Sequence, residues 1–422
     1  MNRTTFPTFW LVSHFRVPAD ACDNAALYAE APMHKSSLSA RDAVQQLNSS
    51  TIREVANAGM GQKDMVAFWF GEPDQVTPEF IRAAAIEALN AGDTFYTQNL
   101  GITPLREAIA HYVSGLHSKT ATDNIAVTNS GMSALMITTQ ALVGPGDRVV
   151  IVTPVWPNLV EIPKILGAES VTFPLTFSTD GWTLDMERLL AELTPGTRVV
   201  YINSPNNPTG WTIDVESQRV ILGHCRKHGI WILADDAYER LYFGNDQGLA
   251  PSFLDIADND DRLVSTNTFS KAWQMTGWRL GWIVLPKELA AGVATLIEYN
   301  TSCAPGFVQR AGITAIKEGG DAVRNFNTRL RRARGFLLDR LATLPGVEAS
   351  LPSGAMYAFF RLRGAGDSLA FCKSLVNSTG LGLAPGIAFG PEGEGFVRWC
   401  FAASEERLQD GFDRLSKALH TR

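Results

Sequence analysis

Residues 198–210 read Arg-Val-Val-Tyr-Ile-Asn-Ser-Pro-Asn-Asn-Pro-Thr-Gly, a short apolar run that passes directly into a rigid polar turn. Further runs rich in β-branched residues occur at 125–129, 148–153, 230–235, 263–267 and 280–285. Such short, largely apolar runs predict strands that are buried on both faces. Stretches of helical character lie between many of them, at 133–142, 159–166 and 215–228. Alternating strands and helices predict an α/β domain with a mostly parallel sheet.

The pattern changes after Pro286, where longer amphipathic segments begin. A helix is predicted at 321–344, followed by short strands at 356–360 and 396–400. These elements indicate a second, smaller α+β domain. The predicted organisation is an N-terminal arm at 1–35, a small discontinuous domain at 36–75 and 301–422, and a large domain at 76–300, with Met33 as an alternative start.

The composition disfavours several classes of protein. The 422 residues include 37 Lys and Arg against 43 Asp and Glu, and the net charge of −6 disfavours nucleic acid as a partner. The 5 cysteines lie far apart and are odd in number, which predicts reduced thiols and a cytoplasmic location. His14 and Arg16 interrupt the apolar patch near the N-terminus, which disfavours a secretory signal. Because no apolar run approaches the roughly 18 residues of a membrane helix, no membrane span is expected.

Polar side chains gather where the predicted strands end, at the edge of the sheet where α/β proteins bind their ligands. They comprise a helix start suited to phosphate, an amide, a carboxylate, a phenol, hydroxyls, an amine and a guanidinium: Ser130, Gly131, Met132, Asn207, Asp235, Tyr238, Thr268, Ser270, Lys271 and Arg279. Each residue alone is more often a cap, a turn residue or a surface lysine. Together they match a phosphate, an aldehyde, a ring nitrogen and a ring hydroxyl, which are the groups of pyridoxal phosphate.

Motifs spread along the chain point to a family. The matching stretches are Gly71–Asp74, Tyr96–Arg106, Asn203–Gly210, Asp235–Tyr238, Thr268–Lys271, Thr276–Gly281 and Phe396–Arg398. In this order they resemble the class I/II aminotransferases of the fold-type I pyridoxal-phosphate enzymes, from about residue 36 to the C-terminus. The resemblance implies a three-layer α/β/α domain with a seven-stranded sheet, and a homodimer with shared active sites.

The resemblance also assigns roles around the cofactor ring. Lys271 would bond to the cofactor aldehyde and later move the proton at the substrate Cα. Asp235 would face the ring nitrogen, while Asn207 and Tyr238 would donate to the ring oxygen. Trp156 would stack on the ring, although a tryptophan at this position is also compatible with simple core packing.

A second set of implied roles concerns anions. The cofactor phosphate would be bound by Ser130, Gly131, Met132, Thr268, Ser270 and Arg279, and by Tyr96 of the neighbouring subunit. The substrate would be bound by Gly71, Trp156, Asn207 and Arg398, with the Arg398 fork on its α-carboxylate. Many relatives have glycine at the position of Ser130, so the donor geometry at this turn is expected to differ.

The substrate is less defined than the cofactor. Dicarboxylate-specific relatives carry a second cation, but residues 296–305 contain no arginine and the phosphate turn carries Met132. A neutral or aromatic amino-acid donor is therefore slightly favoured, with aspartate or glutamate still open through Arg41, Arg53 or Lys63. The expected acceptor is a 2-oxo acid such as 2-oxoglutarate.

Alternative functions keep the fold but change the chemistry. A lyase, synthase or decarboxylase that uses the same cofactor remains open, because fold does not determine reaction. A regulator is disfavoured, because the leader is too short for a DNA-binding domain. His224 and His228 have a metal-like spacing but lack a third ligand, so no metal site is expected. The arginines at 329, 331, 332 and 334 are interpreted as a solvated helix face.

Overall fold

The structure is a computed structural model that describes residues 39–258, 260–364 and 366–420. The chain divides between Gln45 and Gln46 into two compact units. The described part of the first unit contains one short helix, α1 (Asp42–Gln45). The predicted arm at 1–35 and the alternative start Met33 lie outside the described residues.

All other elements belong to the second unit. Its helices are α2 (Thr51–Gly59), α3 (Glu79–Asn90), α4 (Thr103–Leu116), α5 (Gly131–Leu142), α6 (Asn158–Ile165), α7 (Met186–Glu192), α8 (Val215–His228), α9 (Lys287–Thr301), α10 (Gly306–Glu318), α11 (Gly320–Leu341), α12 (Ser368–Thr379) and α13 (Glu405–His420). Its strands are β1 (Val66–Ala67), β2 (Ile125–Thr128), β3 (Arg148–Thr153), β4 (Glu169–Pro174), β5 (Thr176–Ser178), β6 (Gly181–Thr183), β7 (Thr197–Asn203), β8 (Trp231–Asp235), β9 (Leu263–Thr268), β10 (Gly281–Val284), β11 (Val347–Ala349), β12 (Tyr357–Leu362), β13 (Leu381–Gly382), β14 (Ala384–Pro385) and β15 (Phe396–Cys400).

The central sheet has seven strands in the order β2-β10-β9-β8-β7-β3-β4. Only β10 runs antiparallel to its neighbours in this sheet, so the prediction of a mostly parallel seven-stranded sheet is confirmed. All six strands predicted for this region from the sequence are present, and none of their ends differs from the prediction by more than one residue. Strand β4 was missed because it lies at the edge of the sheet and is mostly not buried, so it lacks an apolar run.

Successive residues along a strand of the seven-stranded sheet pack into different cores, which is what a three-layer fold requires. In β2, Ile125 and Val127 pack in one cluster with α4 and α10, whereas Ala126 packs in another with α5 and α6. Both clusters consist of buried side chains with partly buried ones packed against them. The helices on both faces therefore hold the strands in a fixed register, and the carboxyl ends of the strands become a rigid platform.

A second sheet, β11-β12-β15-β14, is antiparallel throughout and has four strands. Strand β1 pairs separately with β13, which links the segment before the central sheet to the C-terminal part of the chain. Helix α11 ends at Leu341, three residues earlier than its predicted end. The division into domains at residues 75 and 300 stays a prediction. None of the helices in the described part of the chain is long and apolar enough to cross a membrane.

The arginines of α11 differ from their interpretation as a solvated face. Arg329 pairs with Asp74, with its Nη2 2.9 Å from the carboxylate Oδ2. Arg331 and Arg334 each donate to a backbone carbonyl at 2.7 Å. The interpretation was wrong for these three residues, because helical periodicity cannot reveal which loops pack over a helix.

Candidate active site

One cavity of about 460 Å³ lies at the carboxyl ends of β2, β7, β8 and β9. All but two of the predicted site residues line it: Gly71, Gly131, Met132, Trp156, Asn207, Asp235, Tyr238, Thr268, Ser270, Lys271, Arg279 and Arg398. Ser130 is buried just behind the wall as the N-cap of α5. Tyr96 does not line this cavity and is 90% exposed.

Asp235 is the last residue of β8 and lies directly beside Asn203, the last residue of β7. The Asn203 amide Nδ2 donates to the carboxylate Oδ2 of Asp235 at 3.1 Å, and the N–H of Ala237 donates to Oδ1 at 3.3 Å. Burial raises the pKa of Asp235 to about 7, although the Ala237 hydrogen bond and the charge of Lys271 oppose the shift. The orientation of the carboxyl group is therefore fixed, and a cationic partner would lower its pKa.

The amine of Lys271 projects into the same cavity. Its Nζ donates to the carbonyl oxygen of Gly71 at 2.6 Å and lies 5.7 Å from the ring centroid of Tyr238. Burial lowers the pKa of Lys271 to about 8, and the nearby charge of Arg398 acts in the same direction. A Cβ at position 71 would lie 1.9 Å from the Tyr357 hydroxyl oxygen, so only glycine fits there without movement.

Arg398 lies on β15 and is 2% exposed, yet it keeps an unused donor. Its Nη1 donates to Asn207 Oδ1 at 2.9 Å, and its Nη2 donates to the carbonyl of Trp69. The rings of Tyr357 and Phe389 flank the guanidinium, with centroids 4.4 and 4.8 Å from Cζ. Among the described residues no acceptor reaches its buried Nε. Such an orphaned charged donor is costly unless an anionic ligand approaches.

The backbones of β9, β10 and the start of α5 approach one another closely and form an anion cradle beside this cavity. Helix α5 begins at Gly131, and its first N–H groups lack partners within the helix. A Cβ at Gly281 would lie 2.5 Å from the Gly131 nitrogen, so glycine lets β10 pass beneath the helix start. Thr268 and Ser270 add hydroxyls, whose oxygens are 3.0 Å apart. Partial positive charge at the helix start and these hydroxyls suit a phosphate dianion.

Ser130 precedes the helix with a φ of 116°, a region that favours glycine. Its Oγ accepts from the N–H of Ser133 at 3.2 Å, which caps the helix. The structure thus keeps at this position the backbone conformation that glycine adopts most readily. Arg279 completes the cradle from a left-handed position, with φ 54°, and its Nη1 donates to the Thr276 carbonyl at 2.8 Å.

Several cavity residues escaped the sequence reasoning. They include Tyr357, whose hydroxyl is 2.7 Å from that of Tyr238, and the cavity-lining residues Ser50, Ile52, Trp69, Phe70, Leu135, Asn158, Asn203 and Ala237. Arg53, which the sequence left open as a second cation, also lines the cavity. Burial raises the pKa of both tyrosines, so each remains a neutral phenol. Tyr357 is the second residue of a predicted strand, but only the pairing of β12 with β15 brings it beside Arg398. Nothing in the sequence near position 357 signals that pairing.

The predicted metal-like pair is engaged in local contacts. The Nε2 of His224 lies 2.7 Å from the carbonyl oxygen of Leu193. Its ring packs against that of His228, with centroids 4.5 Å apart. In the described part of the chain, no group of three or more His, Cys, Asp or Glu side chains is arranged to hold a metal ion.

Comparison with known proteins agrees with this geometry. The family description "Aminotransferase class I and II" matches residues 63–415. The chain belongs to this family, whose members use pyridoxal phosphate to transfer amino groups. It is therefore a pyridoxal-phosphate-dependent aminotransferase.

Particular relatives are similar over almost their whole length. An aspartate aminotransferase of Pyrococcus horikoshii is 33% identical over 377 residues, which are 88% of this chain and 95% of that protein. An aromatic-amino-acid aminotransferase of Thermococcus litoralis is 31% identical over 90% of this chain and 97% of its own length. The crystal structure of an aspartate aminotransferase from Thermotoga maritima superposes with a TM-score of 0.84, at 31% identity, covering 90% of this chain and 100% of that one.

Proposed function

We propose that this enzyme moves the amino group of an L-α-amino acid to a 2-oxo acid such as 2-oxoglutarate in two ping-pong half-reactions. One observation carries the proposal: the amine of Lys271, the buried carboxyl of Asp235 and the orphaned guanidinium of Arg398 line one cavity. The amine suits an aldehyde, the carboxyl suits a ring nitrogen, and the guanidinium suits a carboxylate.

The residues present fit pyridoxal phosphate. Its phosphate would be held by Ser130, Gly131, Met132, Thr268, Ser270 and Arg279, and its ring by Trp156, Asn207, Asp235 and Tyr238. When bound, the cofactor supplies an aldehyde that accepts the amino group and a ring that withdraws the electron pair left at the substrate Cα. The N–H groups of Gly131 and Met132, which have no partner within α5, and the hydroxyls beside them support the placement of the phosphate.

Asp235 would hold a proton at the ring nitrogen. Asn203 and the Ala237 N–H fix the carboxylate from two sides, so it loses little freedom when a cationic partner arrives. Because burial disfavours the charge of an isolated carboxylate, pairing with a protonated ring nitrogen stabilises both groups. Tyr238 and the amide nitrogen of Asn207 would donate to the ring oxygen.

In one half-reaction Lys271 would move the proton from the substrate Cα to C4′, the aldehyde carbon of the cofactor, and in the other half-reaction it would move a proton in the opposite direction. A pKa lowered to about 8 keeps a useful fraction of the amine unprotonated near neutral pH. The hydrogen bond to Gly71 shows that the amine can be positioned by a neutral acceptor without being paired to a carboxylate.

Arg398 would bind the substrate α-carboxylate, with Gly71, Trp156 and Asn207 around it. The contact of Nη1 with Asn207 orients the planar guanidinium, and the flanking rings restrict it further. A rigid fork loses little entropy when it pairs with a carboxylate. Neutral and aromatic donors are slightly favoured, because the aromatic residues Trp69, Phe70 and Trp156 line the cavity.

The working form is proposed to be a cytoplasmic homodimer. Tyr96 is 90% exposed and its neighbour Phe95 is 83% exposed. Two adjacent aromatic side chains with this much exposure are unusual. Burial of this pair against a second subunit, with Tyr96 reaching that subunit's phosphate site, accounts for their exposure in one chain. The proposal also keeps a large domain at 76–300 and a small domain from 36–75 and 301–422.

A spectroscopic experiment tests this function. The purified protein loaded with pyridoxal phosphate is expected to absorb visible light and to lose that band when one amino acid is added alone. A 2-oxo acid is then expected to restore the band. Release of ammonia without a change of cofactor form would instead indicate a lyase. Failure of the protein to bind the cofactor would overturn the proposal.

A further inference from the structure

The cavity contains more positive charge than one cofactor and one α-carboxylate require. The cationic side chains that line it are Arg53, Lys271, Arg279 and Arg398, opposite the carboxylate of Asp235. Lys271, Arg279 and Arg398 each donate a hydrogen bond within the chain. These three also have assigned partners in the proposed reaction. Arg53 is the cation left over.

The fold presents Arg53 to the cavity from the first turn of α2. Ser50 caps this helix, with its Oγ accepting from the Arg53 N–H at 3.3 Å. Ser50, Ile52 and Arg53 all line the cavity, so the start of the helix forms part of its wall. The side chain of Ile52 is buried and fixes the helix against the core. Arg53 is exposed beside it.

The Arg53 guanidinium has no acidic partner among the residues that the structure describes. Its Cζ lies 5.6 Å from the ring centroid of Phe70, which also lines the cavity. The next residue contrasts with it, since Glu54 pairs with Lys373. A cation resting on an aromatic face at an exposed site gains only about 0.5–1 kcal/mol. A carboxylate can therefore displace the ring contact easily.

We propose that Arg53 binds the distal carboxylate of dicarboxylic amino acids and 2-oxo acids, while Arg398 holds the α-carboxylate. The inference rests on the proposed function, because it names a substrate class of the same site. The planar fork of arginine suits a carboxylate, and no other cation that lines the cavity lacks an assigned role. When a neutral or aromatic substrate is bound, Arg53 stays on the Phe70 ring.

This arrangement allows one cavity to accept two kinds of side chain. Trp69, Phe70 and Trp156 offer apolar surface, and Arg53 offers a charge at the same wall. Of the other cations that the sequence left open, Lys63 lies in the same compact unit as Arg53 but does not line the cavity. The second cation comes from α2, outside the two segments where dicarboxylate-specific relatives carry theirs.

The test compares two five-carbon ligands that differ only in the distal carboxylate. Glutarate and pentanoate are titrated calorimetrically into the cofactor-loaded wild type, Arg53→Gln and Lys63→Gln. Arg53→Gln is expected to weaken glutarate binding ~10-fold to 100-fold, the loss expected for a charged hydrogen-bonded pair. Pentanoate binding is expected to stay within twofold. Lys63→Gln serves as the matched control and is expected to change neither ligand.

Kinetics provide a second reading of the same prediction. Arg53→Gln is expected to lower kcat/KM for glutamate relative to glutamine, mainly through KM, and to leave phenylalanine unchanged. An unchanged melting temperature and cofactor absorbance exclude misfolding. Equal effects on glutarate and pentanoate, or no effect on glutarate, would overturn the inference.

The two proposals fail in different ways. If the wild type turns over neutral amino acids but Arg53→Gln does not discriminate between the ligands, only the Arg53 inference is wrong. If glutarate binding depends on Arg53 but no amino acid changes the cofactor absorbance, the binding subsite stands and the proposed transfer reaction is wrong.

Discussion

Two charged regions lie on opposite sides of the turn that follows β8. They differ in how many of their charged groups are paired within the chain. The catalytic cavity holds more cations than carboxylates, and its donors are only partly used. Behind the turn, His117 lies in a closed cluster, with its Nε2 3.1 Å from Glu239 Oε2 and its Nδ1 2.8 Å from Asp255 Oδ1. The His117 side chain is 1% exposed.

The same short turn supplies both regions. Asp235 and Tyr238 line the cavity, while Asp236 and Glu239 join the closed cluster. Burial raises the pKa of both Asp235 and Asp236 to about 7. Asp236 is satisfied from within the chain, because the hydroxyl of Ser265 donates to it at 2.6 Å. Charged groups that are hydrogen-bonded within the chain hold the turn in place. Charged groups that keep open hydrogen-bonding positions can bind ligands.

The largest expected effect comes from removing the amine at the centre of the cavity. Lys271→Ala is expected to lower turnover at least ~10⁴-fold, because both the bonding amine and the proton carrier are lost. The variant should still bind pyridoxal phosphate noncovalently, which dialysis followed by absorbance measures. Lys287→Ala, at an exposed lysine that begins α9, is the control and should behave as wild type. Full activity in Lys271→Ala would contradict the assigned role.

A pair of matched substitutions separates the two regions most directly. Asp235→Asn is expected to lower kcat ~100-fold to 1,000-fold, because an amide cannot stabilise positive charge at the ring nitrogen. Asp236→Asn removes the neighbouring buried carboxylate and should affect the melting temperature more than kcat. Steady-state kinetics and thermal unfolding of both variants provide the measurement. Equal losses of kcat would mean that the two carboxylates are not functionally distinct.

A smaller effect is expected at the substrate fork. Arg398→Lys keeps the charge but loses the planar geometry, so KM for every amino acid should rise ~10-fold to 100-fold. Substrates with and without a second carboxylate should suffer alike, in contrast to Arg53→Gln. A rise in KM for dicarboxylic substrates alone would indicate that Arg398 binds the distal carboxylate, which is the role proposed for Arg53.

A substitution in the closed cluster is expected to have the smallest effect on activity. Its effect on stability should be clear. His117→Gln leaves the buried carboxylate of Glu239 without its cation and removes a partner of the partly exposed Asp255, so it should lower the free energy of unfolding by ~3 kcal/mol. Turnover should change little once the protein is folded. Urea unfolding monitored by fluorescence measures the stability. A large fall in kcat with unchanged stability would place His117 in the catalytic machinery instead.

The pH dependence of that stability follows from the cluster. Burial opposes the charged imidazole, but the hydrogen bonds to Asp255 and Glu239 prevail and raise the pKa of His117 to about 10. The stabilisation is therefore fully present below the unfolded pKa of about 6.5 and is lost as pH rises through 10. The stability gap between wild type and His117→Gln should shrink between pH 7 and pH 10. A constant gap would show that His117 is not charged in the folded protein.

The sequence predicted much of the cavity because its residues follow strand ends. Lys271, Asp235 and Asn207 stand where an apolar run stops, and parallel strands bring such ends together. The closed cluster gave no comparable signal. The partners of His117 lie 122 and 138 residues away along the chain, and Tyr357 lies 119 residues from Tyr238. No local periodicity reports contacts of that separation.

The sequence by itself determined the alternation of strands and helices, the family, the cofactor and the residues at the strand ends, since each depends on short-range pattern. Only the tertiary structure decided which charges are paired and which remain open. It places α2 and Arg53 at the cavity wall, and it buries the His117 side chain beside the carboxylates of Glu239 and Asp255. The physical reason is that pairing depends on distances of a few ångströms between segments that are remote in sequence, and those distances exist only in the packed chain.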